Sequence, residues 1–218
     1  MTREPGLRAR IVASIAGILG SLWAPAALAI DGHVGLQIGT HFWPAYSNRD
    51  QVEADTTPGY SYGLVGGVEI GSGDLPEGSP IRSAITPRLR LRVEIEVSQR
   101  RSDLHGVNDD VGQRTADGKT IRATSALFNA WPAWDFNDDV AAYLGGGVGV
   151  SWIKTLGSDK TRLTLQGGAG VLIAFPIESL PMNVDLGWRS FFASSAEYRG
   201  RLVDFNTHGP IVGIQLEF

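Results

Sequence analysis

Three clusters in this chain have residue types that could do chemistry. The first is Ser194 and Ser195 with His208, flanked by Glu197 and Asp204. A hydroxyl nucleophile needs a base within hydrogen-bond reach, and the base needs an orienting carboxylate. No motif surrounds these residues, and no catalytic residue is assigned from them. The second is Asn108-Asp109-Asp110 with Asp103 and His105. These oxygens could meet a divalent cation or sit beside lipid phosphates, but they lack the spacing of a calcium loop and read as a solvated acidic loop. No metal site is expected. The third, Gly145 to Gly149, has the look of a phosphate-cradling loop. It lies inside an alternating strand with no helix after it, so it reads as a device for making space, and no cofactor is expected. His33 and His41 stand apart from all three.

A larger set is made of charges at alternate positions. In Arg88-Leu89-Arg90-Leu91-Arg92-Val93-Glu94-Ile95-Glu96-Val97-Ser98 the odd positions are aliphatic and the even ones polar or charged. Side chains on a strand alternate between faces, so this is one strand with a greasy face and an ionic one. Seven more such stretches follow the same rule, near 32–42, 60–71, 119–131, 140–153, 162–175, 182–192 and 212–218. On the fourth, Ile121, Ala123, Leu127 and Trp131 are read as the apolar face, opposite Arg122 and Thr124. Eight strands and no convincing helix make the chain all-β.

The polar faces together hold Glu69, Arg88, Arg90, Arg92, Glu94, Glu96, Arg122, Arg162, Asp185, Arg189 and Glu217. Six arginines against five carboxylates is the near-balance that a closed interior needs, since an unpaired buried charge costs about 3–5 kcal/mol. Glycines at other polar-face positions would leave room for the large side chains. The pattern therefore predicts an eight-stranded antiparallel up-and-down transmembrane β-barrel, ionic inside and aliphatic outside, in which Arg90, Arg92, Glu94 and Glu96 pair with one another and with Glu69, Arg122 and Arg189. Leu91 is expected to face lipid near the midplane. Phe42, Tyr60, Tyr62, Trp152, Phe191 and Phe192 would form an external girdle. Trp131, Trp134, Phe136, Phe175 and Phe218 would form a periplasmic one. External connectors would run over 43–59, 99–118, 154–161 and 193–208. The periplasmic ones would be 72–87, 132–139 and 176–181, of which 72–87 is long for a turn.

Residues 1–29 have the form of a cleaved signal peptide: Arg3, Arg8 and Arg10, an apolar run from Ile11 to Trp23, and Ala27-Leu28-Ala29 for cleavage after Ala29. Residues 30–218 would be a single barrel domain exported to the outer membrane of a Gram-negative bacterium. Without the leader's three Arg and one Glu, the 19 basic and 23 acidic residues become 16 against 22. That acidic balance argues against a nucleic-acid partner. Absence of cysteine excludes a disulfide scaffold and thiolate metal sites.

Tyr143-Leu144-Gly145-Gly146-Gly147-Val148-Gly149, Gln166-Gly167-Gly168-Ala169-Gly170 and Asp185-Leu186-Gly187-Trp188-Arg189 carry a resemblance. They resemble the eight-stranded outer-membrane barrels of the opacity-protein and OmpA-like group, sometimes labelled porin-like. The ending Gly213 to Phe218 is similar to the signal read by the barrel-assembly machinery, with Phe218 as its last residue. These motifs are specific for architecture and say almost nothing about activity; the reading adopted is a barrel without catalysis that displays four external loops for adhesion, surface interaction or envelope integrity. Its lumen would be plugged or at most a narrow pore. Its partners would be outer-membrane lipid and lipopolysaccharide, the assembly machinery, and an external ligand or host surface. Two alternatives stand beside it: an outer-membrane lipid-modifying enzyme, and a secreted soluble lipocalin-like carrier with the aliphatic faces turned inward.

Overall fold

The computed structural model describes residues 31–42, 53–71, 88–109, 112–155, 158–175, 177, 180–198 and 201–218. The leader and the 72–87 connector lie outside the described residues. Nine strands are present among them: β1 (Asp31–His41), β2 (Glu53–Thr56), β3 (Gly59–Ile70), β4 (Leu89–Asp109), β5 (Gly112–Asp135), β6 (Val140–Thr155), β7 (Ser158–Ala174), β8 (Met182–Tyr198) and β9 (Arg201–Glu217). Every pairing is antiparallel, and eight strands close a barrel in the cyclic order β1-β3-β4-β5-β6-β7-β8-β9. The short β2 adds to β4 beyond the barrel, pairing Glu53–Thr56 with Leu104–Asn108.

The seam is closed by β1 and β9, from His33 opposite Glu217 to Gly39 opposite Ile211. At its foot Gly32 and Phe218 exchange two backbone hydrogen bonds of 2.9 Å each. The barrel end that holds this pair is the near end, and the opposite end is the far end.

The alternation of β4 sets the polarity. Arg92, Glu94, Glu96, Ser98 and Arg100 are buried, whereas Leu89, Leu91, Val93, Ile95 and Val97 are partly exposed. The same sense holds around the barrel: Leu36 is 64% exposed, Leu144 68% and Leu163 62%, while Gln166, Asp185 and Gln215 point inward and are buried. Aliphatic side chains clothe the outer wall and ionic ones fill the centre. The inward-facing carrier is thereby overturned.

Three parts of the sequence reading need correction. On β5 the faces are reversed: Ile121, Ala123, Leu127 and Trp131 are buried in the lumen with Ser125 and Asn129, while Arg122 and Phe128 look outward. A one-residue slip on a strand exchanges its faces, and here the inward side chains happen to be the more apolar ones. Trp131 and Phe191 accordingly leave the girdles for the lumen, at 1% and 2% exposure. Leu91 lies two residues into β4 beside Ile70 and Pro132, near the near end rather than at mid-height.

The connectors differ as well. Stretches read as long far-end loops are largely strand: β4 and β5 run on until Asp109 faces Gly112, β6 and β7 until Thr155 faces Ser158, and β8 and β9 until Tyr198 faces Arg201. Each leaves two residues for the turn. At the near end, 132–139 shortens to a tight turn in which the Asn137 carboxamide oxygen accepts from the Asp139 and Val140 N–H groups at 2.9 and 2.8 Å. An Asn side chain that holds the backbone ahead of it favours such a turn.

Candidate functional site

The lumen is the best-defined polar site, and it is layered along the barrel axis. At the near end Arg90 grips Asp135, with Nε at 3.0 and 3.1 Å and Nη2 at 2.7 Å, and also bonds Glu69. Arg92, 1% exposed on its side chain, lies 3.0 Å from Glu69 and 2.7 Å from Glu94, and donates to Gln215. His33 Nε2 is 3.0 Å from the same Glu94 oxygen.

The next layer is aromatic and ionic together. The Trp131 indole N–H donates to Glu94 at 2.9 Å, and the Arg189 guanidinium lies 4.3 Å from the Trp131 ring and 4.9 Å from that of Tyr143. Arg189 donates to the Tyr143 hydroxyl at 2.8 Å, and that hydroxyl donates to Asp185 at 2.6 Å. Aromatic faces attract cations, so apolar residues belong in this lumen as partners of arginine. Above them Glu96 accepts from Asn129 at 3.1 Å and Gln166 at 2.7 Å. Arg100 donates to Gln166 at 2.9 Å and to Ser98 at 3.1 Å, and sits 4.2 Å from the Phe191 ring. At the far end His41 Nε2 and the Ser102 hydroxyl are 2.8 Å apart. They line a small cavity with Arg100, Ile121, Ala123, Phe191 and Thr207.

Of the charges read from sequence, Glu69, Arg92, Glu94, Glu96, Asp185 and Arg189 are buried in this network, while Arg90, Arg162 and Glu217 are half-buried at its ends. Glu217 accepts a hydrogen bond from Asn183. Arg88 is exposed at the foot of β4, and Arg122 lies on the outer wall, so neither belongs to the lumen. Arg100 and Asp135 join instead, and among the described residues five arginines then face six carboxylates. The sequence reading missed Arg100 because it was placed in a loop. It also missed His33, His41, Trp131, Tyr143 and Gln166 as network members; each shares the inward parity of its strand, which is the signal that identifies them.

The glycines supply the room. A Cβ on Gly147 would lie 1.9 Å from the Asn129 carboxamide oxygen, and one on Gly170 would lie 2.3 Å from the Tyr143 hydroxyl. Gly167, one strand-face away, meets nothing closer than 3.9 Å. Gly170→Val is expected to cost about 1–3 kcal/mol by overpacking, and Gly167→Ala to be near neutral. Urea titration of both variants folded into lipid vesicles checks the difference.

The other chemical candidates fall largely outside the described residues. Ser194 is exposed on β8, and the side chains of Ser195, Glu197 and Asp204 lie outside the described residues, as do those of His105 and Asn108 to Asp110. Among the described residues no group of three or more His, Asp or Glu could hold a metal ion. The His41–Ser102 pair has no carboxylate bonded to His41 among the described residues.

The antiparallel eight-strand barrel has a counterpart in a known structure. Neisserial surface protein A superposes with a TM-score of 0.53 at 15% identity, covering 87% of this chain and 97% of that one. The fold is that of an eight-stranded outer-membrane barrel. OprG from Pseudomonas aeruginosa (TM-score 0.45, 13% identity, 88% and 97% covered) and Ail, the attachment invasion locus protein of Yersinia pestis (0.41, 13%, 87% and 97%), also align. No family model and no curated protein sequence matches the chain.

Proposed function

We propose that this barrel is a non-catalytic protein of the Gram-negative outer membrane. Its lumen is plugged, and its far-end hairpins face the cell exterior, where they carry adhesion, surface interaction or envelope integrity. The observation that supports this best is the polarity of the wall. Leu36, Leu64, Leu144, Val148, Leu163, Leu165 and Ile214 all point outward, an arrangement that water would penalise and lipid rewards. Aromatic residues bracket the band: Tyr60, Tyr62 and Phe192 toward the far end, Trp134, Phe175 and Phe218 toward the near end. The near end is then periplasmic, after a leader cleaved behind Ala29. In this reading the strand ending at Phe218 is what the assembly machinery recognises.

The plug rests on the bonded layers from Arg90 to Arg100, which fill the lumen with paired side chains. Two measurements test the reading. The protein should fractionate with outer membranes and migrate differently on gels before and after boiling; a soluble, heat-indifferent product would refute it. In planar bilayers the folded protein should show no large, stable conductance, and such conductance would remove the plug while leaving the barrel.

A further inference from the structure

The outer wall carries a charged row that the lumen does not use. Three successive levels can be followed across β3 to β7 by strand register. Leu64, Val97, Ala126, Val150 and Leu163 lie opposite one another in turn and are apolar. Two residues further toward the far end come Tyr62, Gln99, Thr124, Trp152 and Thr161. Here the Tyr62 hydroxyl donates to Gln99 at 2.7 Å and Gln99 donates to Thr124 at 3.3 Å. In the membrane reading, a row that carries Tyr62 and Trp152 suits the zone where hydrocarbon gives way to headgroups. Two residues beyond it the row reads Tyr60, Arg101, Arg122, Lys154 and Asp159.

Arg122 therefore stands directly between two cations on neighbouring strands. Like charges opposite one another on a sheet are destabilising. Among the described residues the nearby acids are engaged: Asp159 lies 3.2 Å from Lys154, and Asp103, one level higher, accepts from Thr120 at 2.8 Å. Among the described residues Arg101 donates to the Thr120 hydroxyl alone, at 3.4 Å. Among the described residues no carboxylate pairs with Arg122. A counter-charge from outside the chain would remove the repulsion, and one carried by a molecule whose apolar part lies along the wall below would be held at both its ends.

We propose that Arg101, Arg122 and Lys154 form a seat for a phosphate on the headgroup of an outer-leaflet saccharide lipid. Arginine suits a phosphate because its fork of donors matches the oxygens, and two such forks here converge from adjacent strands. The seat rests on the membrane reading above, and the test separates the two.

The wild type and the Arg101→Gln/Arg122→Gln double variant are folded into phosphatidylcholine vesicles, with heat-modifiable mobility as the folding readout. Binding of fluorescent lipid A is then compared with that of its dephosphorylated form. A basic residue at a membrane surface contributes about fivefold, so the double variant should bind lipid A about 25-fold more weakly. Dephosphorylated lipid A should bind both proteins equally weakly, and Arg122→Lys should retain most of the affinity. Equal binding of lipid A by wild type and variant would overturn the seat, as would displacement by inorganic phosphate, which would mark a free-anion site instead. Should the double variant fail to fold, Arg122→Gln alone is read, with about a fivefold loss expected. A wild type that does not enter vesicles would sink the membrane reading itself, and the seat with it.

Discussion

Glu94→Ala is expected to lower the unfolding free energy by about 3–5 kcal/mol, the cost of leaving buried charge without its partner. Glu94 serves three groups at once: Arg92 at 2.7 Å and His33 at 3.0 Å on one oxygen, the Trp131 indole at 2.9 Å on the other. Removing the carboxylate strands the Trp131 indole, takes from His33 its carboxylate and leaves Arg92 with Glu69 and Gln215, in a lumen where Arg92 and His33 are almost fully buried. Glu94→Gln should cost less, because an amide oxygen still accepts from Trp131 or Arg92 while the charge is lost. Urea titration of protein folded into lipid vesicles, followed by tryptophan fluorescence, reads both variants. A loss below about 1 kcal/mol for the alanine variant would mean that water takes over these bonds, as it does for exposed pairs. The plug would then be a wet, permeable interior.

The second large effect belongs to the wall. Leu36 sits midway along β1, 64% exposed, with Leu64 and Ile214 beside it on the neighbouring strands. Leu36→Arg is expected to cost about 2–4 kcal/mol in vesicles, as for any guanidinium held at mid-bilayer depth. The same change at Phe175, which stands beyond the end of β7 in the near-end girdle, should cost only about 0–1 kcal/mol. The sign is what discriminates. In a water-soluble barrel, arginine on an exposed leucine would be neutral or would improve solubility. A vesicle titration in which Leu36→Arg costs nothing would therefore take the wall out of lipid.

What the sequence disclosed was set by contrast between the two faces of each strand. On β4 the inner face is Arg92, Glu94, Glu96, Ser98 and Arg100 and the outer face purely aliphatic, so parity could be read directly. On β5 the contrast fails, because Trp131, Leu127 and Ile121 face inward, Trp131 as the ring beneath Arg189. Hydropathy places such residues in lipid; only Asn129 and Ser125, sharing their parity, and Phe128 and Trp134, opposing it, point the other way. The strand ends beyond the band were hidden for a different reason. From Leu104 to Asp109 and from Gly112 to Lys119 the sequence has no polar–apolar alternation to read. Backbone pairing extends the hairpin without it. The ionic layers were foreseeable as a composition but not as partners, since Arg92 and Gln215 meet across 123 positions of chain.

The seam between β1 and β9 has a consequence for how such a molecule comes into being. His33 and Glu217 are neighbours in space yet lie at opposite extremes of the described chain. Until the final segment arrives, β1 offers an unsatisfied ladder of amide and carbonyl groups along a greasy ribbon, a ready template for pairing with another copy. Joining ends so distant in sequence is slow, because the entropy of ordering the intervening chain is lost before the last bonds repay it. On the outer-membrane proposal, a newly exported chain of this kind would need escort across the aqueous compartment, held apart from its sisters until the circle can shut.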